Sequence, residues 1–322
     1  MSGRYVMQFR TLVTGSSGFV GSGVTLALAR SGYTVRAASR EPSTICNFPG
    51  VEWMHLPNLE EEFDWVPLLD DVDAVVHLAA IAHRTPGDVS QCDRVNRAAV
   101  GRLARACANQ GIKRLIFVSS IGAQAGSAAD MIVDERQEPE PVTAYDRSKL
   151  AAEKEICASG VPFTVLRPVL VYGPGAKANI ASLMRLAATP FPLPFGAFKN
   201  KRSLLSIDNL NSAIMFCLER AETIGRTFIV SDPTPISLAE IIATCREASG
   251  RSPLLMPIPP GLIKAALLAL GRRPLWDRIG RDLVATSEEL QRLGWVPPMH
   301  TKPGLRASMA AMMKEMREGG RL

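Results

Sequence analysis

Arg10-Thr11-Leu12-Val13-Thr14 reads as a short strand that runs straight into the turn Gly15-Ser16-Ser17-Gly18-Phe19-Val20-Gly21. Val20 to Arg30 then carries apolar residues at helical spacing and stops near Gly32. Strand, glycine turn and helix in that order commit the chain to layers of helix on sheet. In such a turn Gly15 permits the tight reversal, Gly18 lets the backbone approach a pyrophosphate, and Gly21 lets the helix pack closely on the strand. The helix N-terminus then meets the phosphate charge. A glycine-rich turn alone describes many surface loops; this context favours a dinucleotide site.

A second spacing adds chemistry. Tyr145-Asp146-Arg147-Ser148-Lys149 puts a phenol and an ammonium at i and i+4, on one face of a helix. A phenol that titrates near ~10 is a poor base at neutral pH, and a close cation favours its phenolate. Lys149 is therefore expected to lower the pKa of Tyr145, giving a pair that moves a proton during redox chemistry on a hydroxyl or carbonyl.

The alternation continues through the first half. Tyr33 to Ala38, Asp73 to Leu78, Arg114 to Val118 and Phe163 to Leu166 read as buried strands, with a helix from about Asn96 to Asn109 between the second and third of them. The expected fold is α/β, a Rossmann-like doubly wound parallel sheet with a smaller C-terminal substrate-binding lobe. Residues 9–173 form the expected NAD(P)-binding part and 174–322 the substrate lobe, with segments around 204–212 and 226–232 returning to the main part. Pro174-Gly175, Pro190 to Gly196, Pro233-Thr234-Pro235 and Pro253 to Gly261 break the second half into short elements. The active site is expected in a cleft between the two parts.

Composition narrows the classes. The 322 residues, 47% of them hydrophobic, can bury a substantial core. Cys46, Cys92, Cys107, Cys157, Cys217 and Cys245 form no compact pair, and His55, His77, His83 and His300 no HxxxH, so no metal is expected. The net charge of +6 is spread among acids without a basic tail, which argues against nucleic acid and fits a phosphate-bearing substrate. The first residues lack the pattern of a secretion signal, so a cytoplasmic enzyme is expected. Leu262 to Leu270 is too short to span a bilayer and is expected to be a packing helix, with peripheral membrane contact as the lesser alternative.

Thr14-Gly15-x-x-Gly18-x-x-Gly21, Ser119-Ser120, Tyr145-x-x-x-Lys149 and Leu166-Arg167-Pro168-x-x-x-Tyr172-Gly173 together resemble the extended short-chain dehydrogenase/reductase family, the NAD-dependent epimerase/dehydratase group. The resemblance runs from about Phe9 to the segment Leu293-Gly294-Trp295-Val296-Pro297. Within the group it is nearest to bacterial nucleotide-sugar 4-epimerases and 4-keto-sugar reductases of surface-polysaccharide pathways. It implies Tyr145 as proton donor or acceptor, Lys149 as its partner and a contact to the nicotinamide ribose, and Ser120 as the group orienting the substrate oxygen. Cofactor contacts are implied at Gly15, Ser17, Gly18, Phe19, Val20, Gly21, Ser39, Arg40, Asn58, Leu59, Leu78, Ala79, Ala80, Asn96, Ser119, Pro168 and Val171. For Asn96 a helix cap is the plain alternative, and for either serine a strand-end backbone hydrogen bond. Asn179 and Arg202 are implied on the substrate's diphosphate, where Arg suits phosphate oxygens.

At the end of the second strand Ser39-Arg40 stands where an NAD site commonly has an acid, which favours NADP(H) with NAD(H) as the alternative; the direction of Arg36 is left open. The expected reaction is NADPH-dependent reduction of the C4 ketone of a UDP-linked 6-deoxy-4-keto-N-acetylhexosamine. Alternatives are an NAD-dependent nucleotide-sugar 4-epimerase, a small-molecule ketone reductase of the lipid or flavonoid type, and a non-enzymatic NADP-binding protein. Ser120 is followed by Ile121-Gly122 rather than an acid pair, which disfavours a dehydratase. The family likeness also implies a homodimer through two helices, at Ala98, Leu103, Ala106, Ala151, Ala152 and Ile156.

Overall fold

Thr11, Leu12, Val13 and Thr14 are all buried along β1 (Arg10–Thr14), the signature of a strand covered on both faces. The computed structural model describes residues 9–81, 89–176 and 178–318, without the side chains of Thr44, Cys46, Ala178 and Asn179; His83 lies outside the described residues. After β1 come α1 (Phe19–Arg30), β2 (Thr34–Ser39), β3 (Val51–His55), α2 (Val66–Leu69), β4 (Ala74–His77) and α3 (Val89–Cys92). A π-helical turn (Asp93–Ala98) leads into α4 (Ala99–Asn109), then β5 (Arg114–Val118), α5 (Gly122–Ala125), α6 (Ala144–Ala158) and β6 (Phe163–Pro168). Next are β7 (Leu170–Tyr172), α7 (Ala178–Ala187), β8 (Lys201–Arg202), β9 (Leu204–Ser206), α8 (Ile207–Glu219) and β10 (Arg226–Val230). The chain closes with β11 (Ile236–Ser237), α9 (Leu238–Ala248), α10 (Pro260–Ala269), α11 (Arg273–Ile279), α12 (Glu288–Arg292) and α13 (Thr301–Glu318).

Seven strands form one sheet in the order β10, β6, β5, β4, β1, β2, β3, parallel in every pair from β3 to β6. This is the Rossmann-like doubly wound α/β sheet expected from the sequence. Strand order reverses between β1 and β4, and a ligand site in such a sheet lies outside the carboxyl ends of the strands at that reversal. Helix α1 is held to the sheet by Gly21, Val24, Thr25 and Leu28, and α4 by Val100, Leu103, Ala104 and Cys107, both at i, i+3, i+4, i+7. Helix α6 begins with a capping box in which the Thr143 side chain and the Asp146 carboxylate each bond the other's backbone N–H.

The described residues divide into two compact units. The first draws on Met1–Ala123, Pro141–Arg167 and Asn211–Phe228, the second on Gln124–Glu140, Pro168–Leu210 and Ile229–Leu322. Leu12, Val75, Leu103, Leu115, Phe117, Ala152 and Ile156 belong to the first core. Three residues expected at a dimer contact, Leu103, Ala152 and Ile156, are therefore spent on covering the parent sheet. The second core gathers Tyr172, Met184, Phe198, Ile242, Leu305 and Met309. There the Tyr172 hydroxyl lies 2.7 Å from Asp232 Oδ2, while Asp232 Oδ1 accepts from Ser206 N and Asn209 Nδ2.

Helix α10 packs along one side only: none of its residues is buried, and Ile263 rests against the second core. Its sequence is apolar all round, so periodicity alone does not assign a covered face.

Candidate active site

Thr14 ends β1 with its hydroxyl accepting from the amides of Leu78 (3.2 Å) and Ala79 (3.4 Å), and lying 2.8 Å from His77 Nδ1. One side chain therefore ties the carboxyl ends of β1 and β4 at the reversal point. Gly15 follows at φ +72°, and a Cβ there would stand 2.9 Å from the Ala79 backbone. A Cβ on Gly21 would collide with the Gly15 carbonyl. Helix α1 starts at Gly18 with no side-chain cap and no acid in its first turn, which leaves the amides of Phe19, Val20 and Gly21 for an outside anion. Ser17 and Gly18 are exposed, and Phe19 and Val20 partly covered. Two close backbone approaches that exclude any side chain, facing an uncapped helix, fit a dinucleotide's pyrophosphate.

The catalytic candidates meet where β5 ends and α6 begins. Lys149 is buried with Nζ 3.0 Å from the Val118 carbonyl and 4.6 Å from the centre of the Phe117 ring. Burial pushes its ammonium down to about 8, partly offset by the Glu153 carboxylate. Ser120 Oγ accepts from the Gly122 amide at 3.1 Å, so its own proton is left to donate. A Cβ on Gly122 would run into Asp146 Oδ1 and stand 3.3 Å from Ser120 Oγ. Ser120, Gly122 and the residue after Tyr145 are thus adjacent. Tyr145 departs from expectation: burial first, then Asp146 and Cys92, push its phenol up to about 12. The Lys149 ammonium itself lies on the Val118 carbonyl.

Other implied contacts are engaged within the protein. Ser119 donates to Glu153 Oε1, and Glu153 receives a two-pronged ion pair from Arg167, all three buried. The Ser119 hydroxyl expected beside the nicotinamide is used to anchor the strand end. Asn96 sits in the π-helical turn, not at a cap: its Oδ1 accepts from Ile81 N, and its Nδ2 donates to the Ile81 carbonyl and to Ser148 Oγ. Both its amide protons are spent. Ser39 Oγ donates to the Glu41 carbonyl at 2.6 Å and accepts from Trp53 Nε1 at 3.0 Å, leaving Arg40 as the exposed cation at that strand end. Arg36 points elsewhere, onto the Leu68 and Asp70 carbonyls. Asn58 closes a local turn with Glu60 and Glu61, and Leu59 is core. After β4, Leu78 is partly covered, Ala79 buried and Ala80 exposed.

In the second unit Pro168 is buried at the end of β6 and Val171 is partly covered on β7. The Asn179 side chain lies outside the described residues. Arg202 donates to the Arg281 and Ser127 carbonyls, both at 3.1 Å, and burial pushes its guanidinium down to about 10, with Asp282 opposing and Arg278 adding to the effect. These two bonds occupy two of its five N–H groups. Sequence reading missed Glu153 with its Arg167 partner, and the Thr14 to His77 link. For Thr14, His77 and Arg167 the available signal was a polar residue inside a buried strand; Glu153 carried none.

Among the described residues no group of three His, Cys, Asp or Glu is placed to hold a metal. The model of the NAD dependent epimerase/dehydratase family matches residues 11–231. A UDP-glucose 4-epimerase of Vibrio cholerae is 33% identical over 315 residues, 94% of this chain and 95% of that protein. A dihydroflavonol 4-reductase of Zea mays is 29% identical over 67% of this chain and 68% of its own. MoeE5, solved in complex with UDP-glucose and NAD, superposes with a TM-score of 0.75 at 24% identity, over 95% of this chain and 99% of that one. With the family model matched over more than half its length, this chain belongs to the NAD dependent epimerase/dehydratase family and is an enzyme of its NAD(P)-dependent oxidoreductase and epimerase type.

Proposed function

We propose that this chain is a nucleotide-sugar 4-epimerase that inverts C4 of a UDP-linked hexose or N-acetylhexosamine with NAD(H). The observation that carries this reading is the length of the likeness: the Vibrio cholerae epimerase matches end to end, whereas the Zea mays reductase matches about two thirds at lower identity. Two features of the site agree with it. The Ser39 hydroxyl, on which an NADP(H) preference leaned, is held by Glu41 and Trp53. Gly122 has no room for the acid a dehydratase needs.

A bound nicotinamide cofactor supplies reversible hydride acceptance and, when oxidised, a positive charge. The chain's own part is proton handling and orientation. Ser120 donates to the C4 oxygen while Tyr145 takes the hydroxyl proton and later returns it, so both half-reactions use one phenol. A phenol at about 12 is a donor in the bare protein, so acting as base requires added positive charge nearby. Arg202 and Asn179 hold the substrate's diphosphate, an anchoring far from C4 that restricts the reactive pose.

Reduction of a 4-keto sugar with NADPH is the second reading, favoured by the exposed cation of Arg40. The test is proton NMR of UDP-glucose and UDP-N-acetylglucosamine with the purified enzyme and a catalytic amount of NAD. Appearance of the C4 epimer without net cofactor turnover is expected, with a loss of roughly 100- to 10,000-fold in Tyr145→Phe. No epimer from either sugar, together with NADPH consumption on a 4-keto sugar, moves the assignment to the reductase.

A further inference from the structure

Helix α10, Pro-Gly-Leu-Ile-Lys-Ala-Ala-Leu-Leu-Ala, carries one charge and buries no residue. Pro260, Ile263 and Leu267 are half-covered along one i, i+3, i+7 seam, with Ile263 leaning on the second core. The rest faces outward. Leu262 is 63% exposed, Leu268 44% and Leu270, just past the helix, 72%; Leu275 on the adjoining α11 is exposed as well. Soluble surfaces scatter such side chains singly, and a cluster of them marks an interaction site.

The charge along this stretch is mainly positive. Between 260 and 279 stand Lys264, Arg272, Arg273 and Arg278 against the single acid Asp277. Lys264 Nζ lies 5.8 Å above the Trp276 ring, which itself rests on Phe198 of the core, so the helix's only charge is drawn to its edge. Outward leucines on α10, with the tryptophan and arginines on α11 and at its start, make an apolar element with a basic margin, as suits a segment lying in the plane of a membrane interface. Neither α10 nor any other described helix is long and apolar enough to cross a bilayer.

We propose that α10 and α11 dock this protein reversibly on an anionic phospholipid bilayer, with Leu262, Leu268 and Leu270 at the acyl boundary and Arg272 and Arg273 on headgroup phosphates. A second copy fits the same face poorly. A two-fold contact there would gather two clusters of like positive charge into one interface, whereas the bilayer's negative surface potential attracts each of them.

The experiment is co-sedimentation of the full chain with vesicles of phosphatidylglycerol and phosphatidylcholine in equal parts, beside vesicles of phosphatidylcholine alone. Binding to the mixed vesicles, weakened by salt, is expected. Arg272→Gln with Arg273→Gln should lower the partition coefficient roughly 30-fold, at about fivefold per cation, and Leu262→Ser with Leu268→Ser at least about tenfold, with melting temperatures unchanged. Either pair reports alone if the other unfolds. Wild-type protein left in the supernatant, or both variants binding as it does, overturns the proposal. So does sedimentation velocity in which the leucine pair converts a dimer to a monomer while no form touches vesicles.

Discussion

At the scale of single residues, the site is governed by burial more than by the spacing that announces it. Lys149 reaches about 8 in the fold against 10.5 in the open chain, so between those values the unfolded chain binds more protons and stability from this group rises with pH. Cys107, Cys217 and Cys245, pushed up to about 12 by burial, pull the other way above pH 9. The informative quantity is therefore the difference between cofactor-free wild type and Lys149→Met in chemical unfolding. That difference should shift in favour of wild type from pH 8 to pH 10, by about 2 kcal/mol; a flat difference would mean that the ammonium is solvated after all. Tyr145 and Lys149 were legible because a helix fixes their relation within four residues. Glu153 was not, since its partners Ser119 and Arg167 come from two different strands, and nothing local distinguishes it from a solvated helix acid.

At the scale of elements, legibility followed burial on both faces. β1 and β5 are buried from their second residue to their last, and their bounds read directly from the sequence; β3 exposes Glu52 and His55. The helix expected from Asn96 begins earlier, with a π-helical turn at Asp93–Ala98 that carries Asn96 inward. A wider turn is invisible to a search for helical spacing, which sees only a disturbed phase. Asn96→Ala leaves the amide and carbonyl of Ile81 without their partner and should cost about 1–3 kcal/mol in urea unfolding. A smaller loss would show that water replaces the carboxamide. Ile81 follows the Leu78 to Ala80 turn, so the same variant should also weaken cofactor binding in a titration.

At the scale of the whole molecule, the chain visits its sheet, leaves it after β6, and supplies the edge strand β10 only after β7, β8 and β9. Thr164 Oγ1 meets the Thr223 carbonyl, and Gly225 N meets the Phe163 carbonyl, closing an edge that would otherwise stand open. A fragment of residues 9–173 alone, without the segment around 226–232 that the sequence reading returns to this part, lacks that cover and should aggregate on gel filtration where the full chain elutes as a discrete species. Recovery of a soluble, folded fragment would show that β6 tolerates a bare edge. The same interleaving sets a clock during synthesis. A ribosome adding roughly 5–20 residues per second releases β6, ending at Pro168, on the order of several seconds before β10, starting at Arg226, exists to close it. For that interval each nascent chain carries a sticky strand, and its yield in a cell depends on how crowded its neighbours are while it waits.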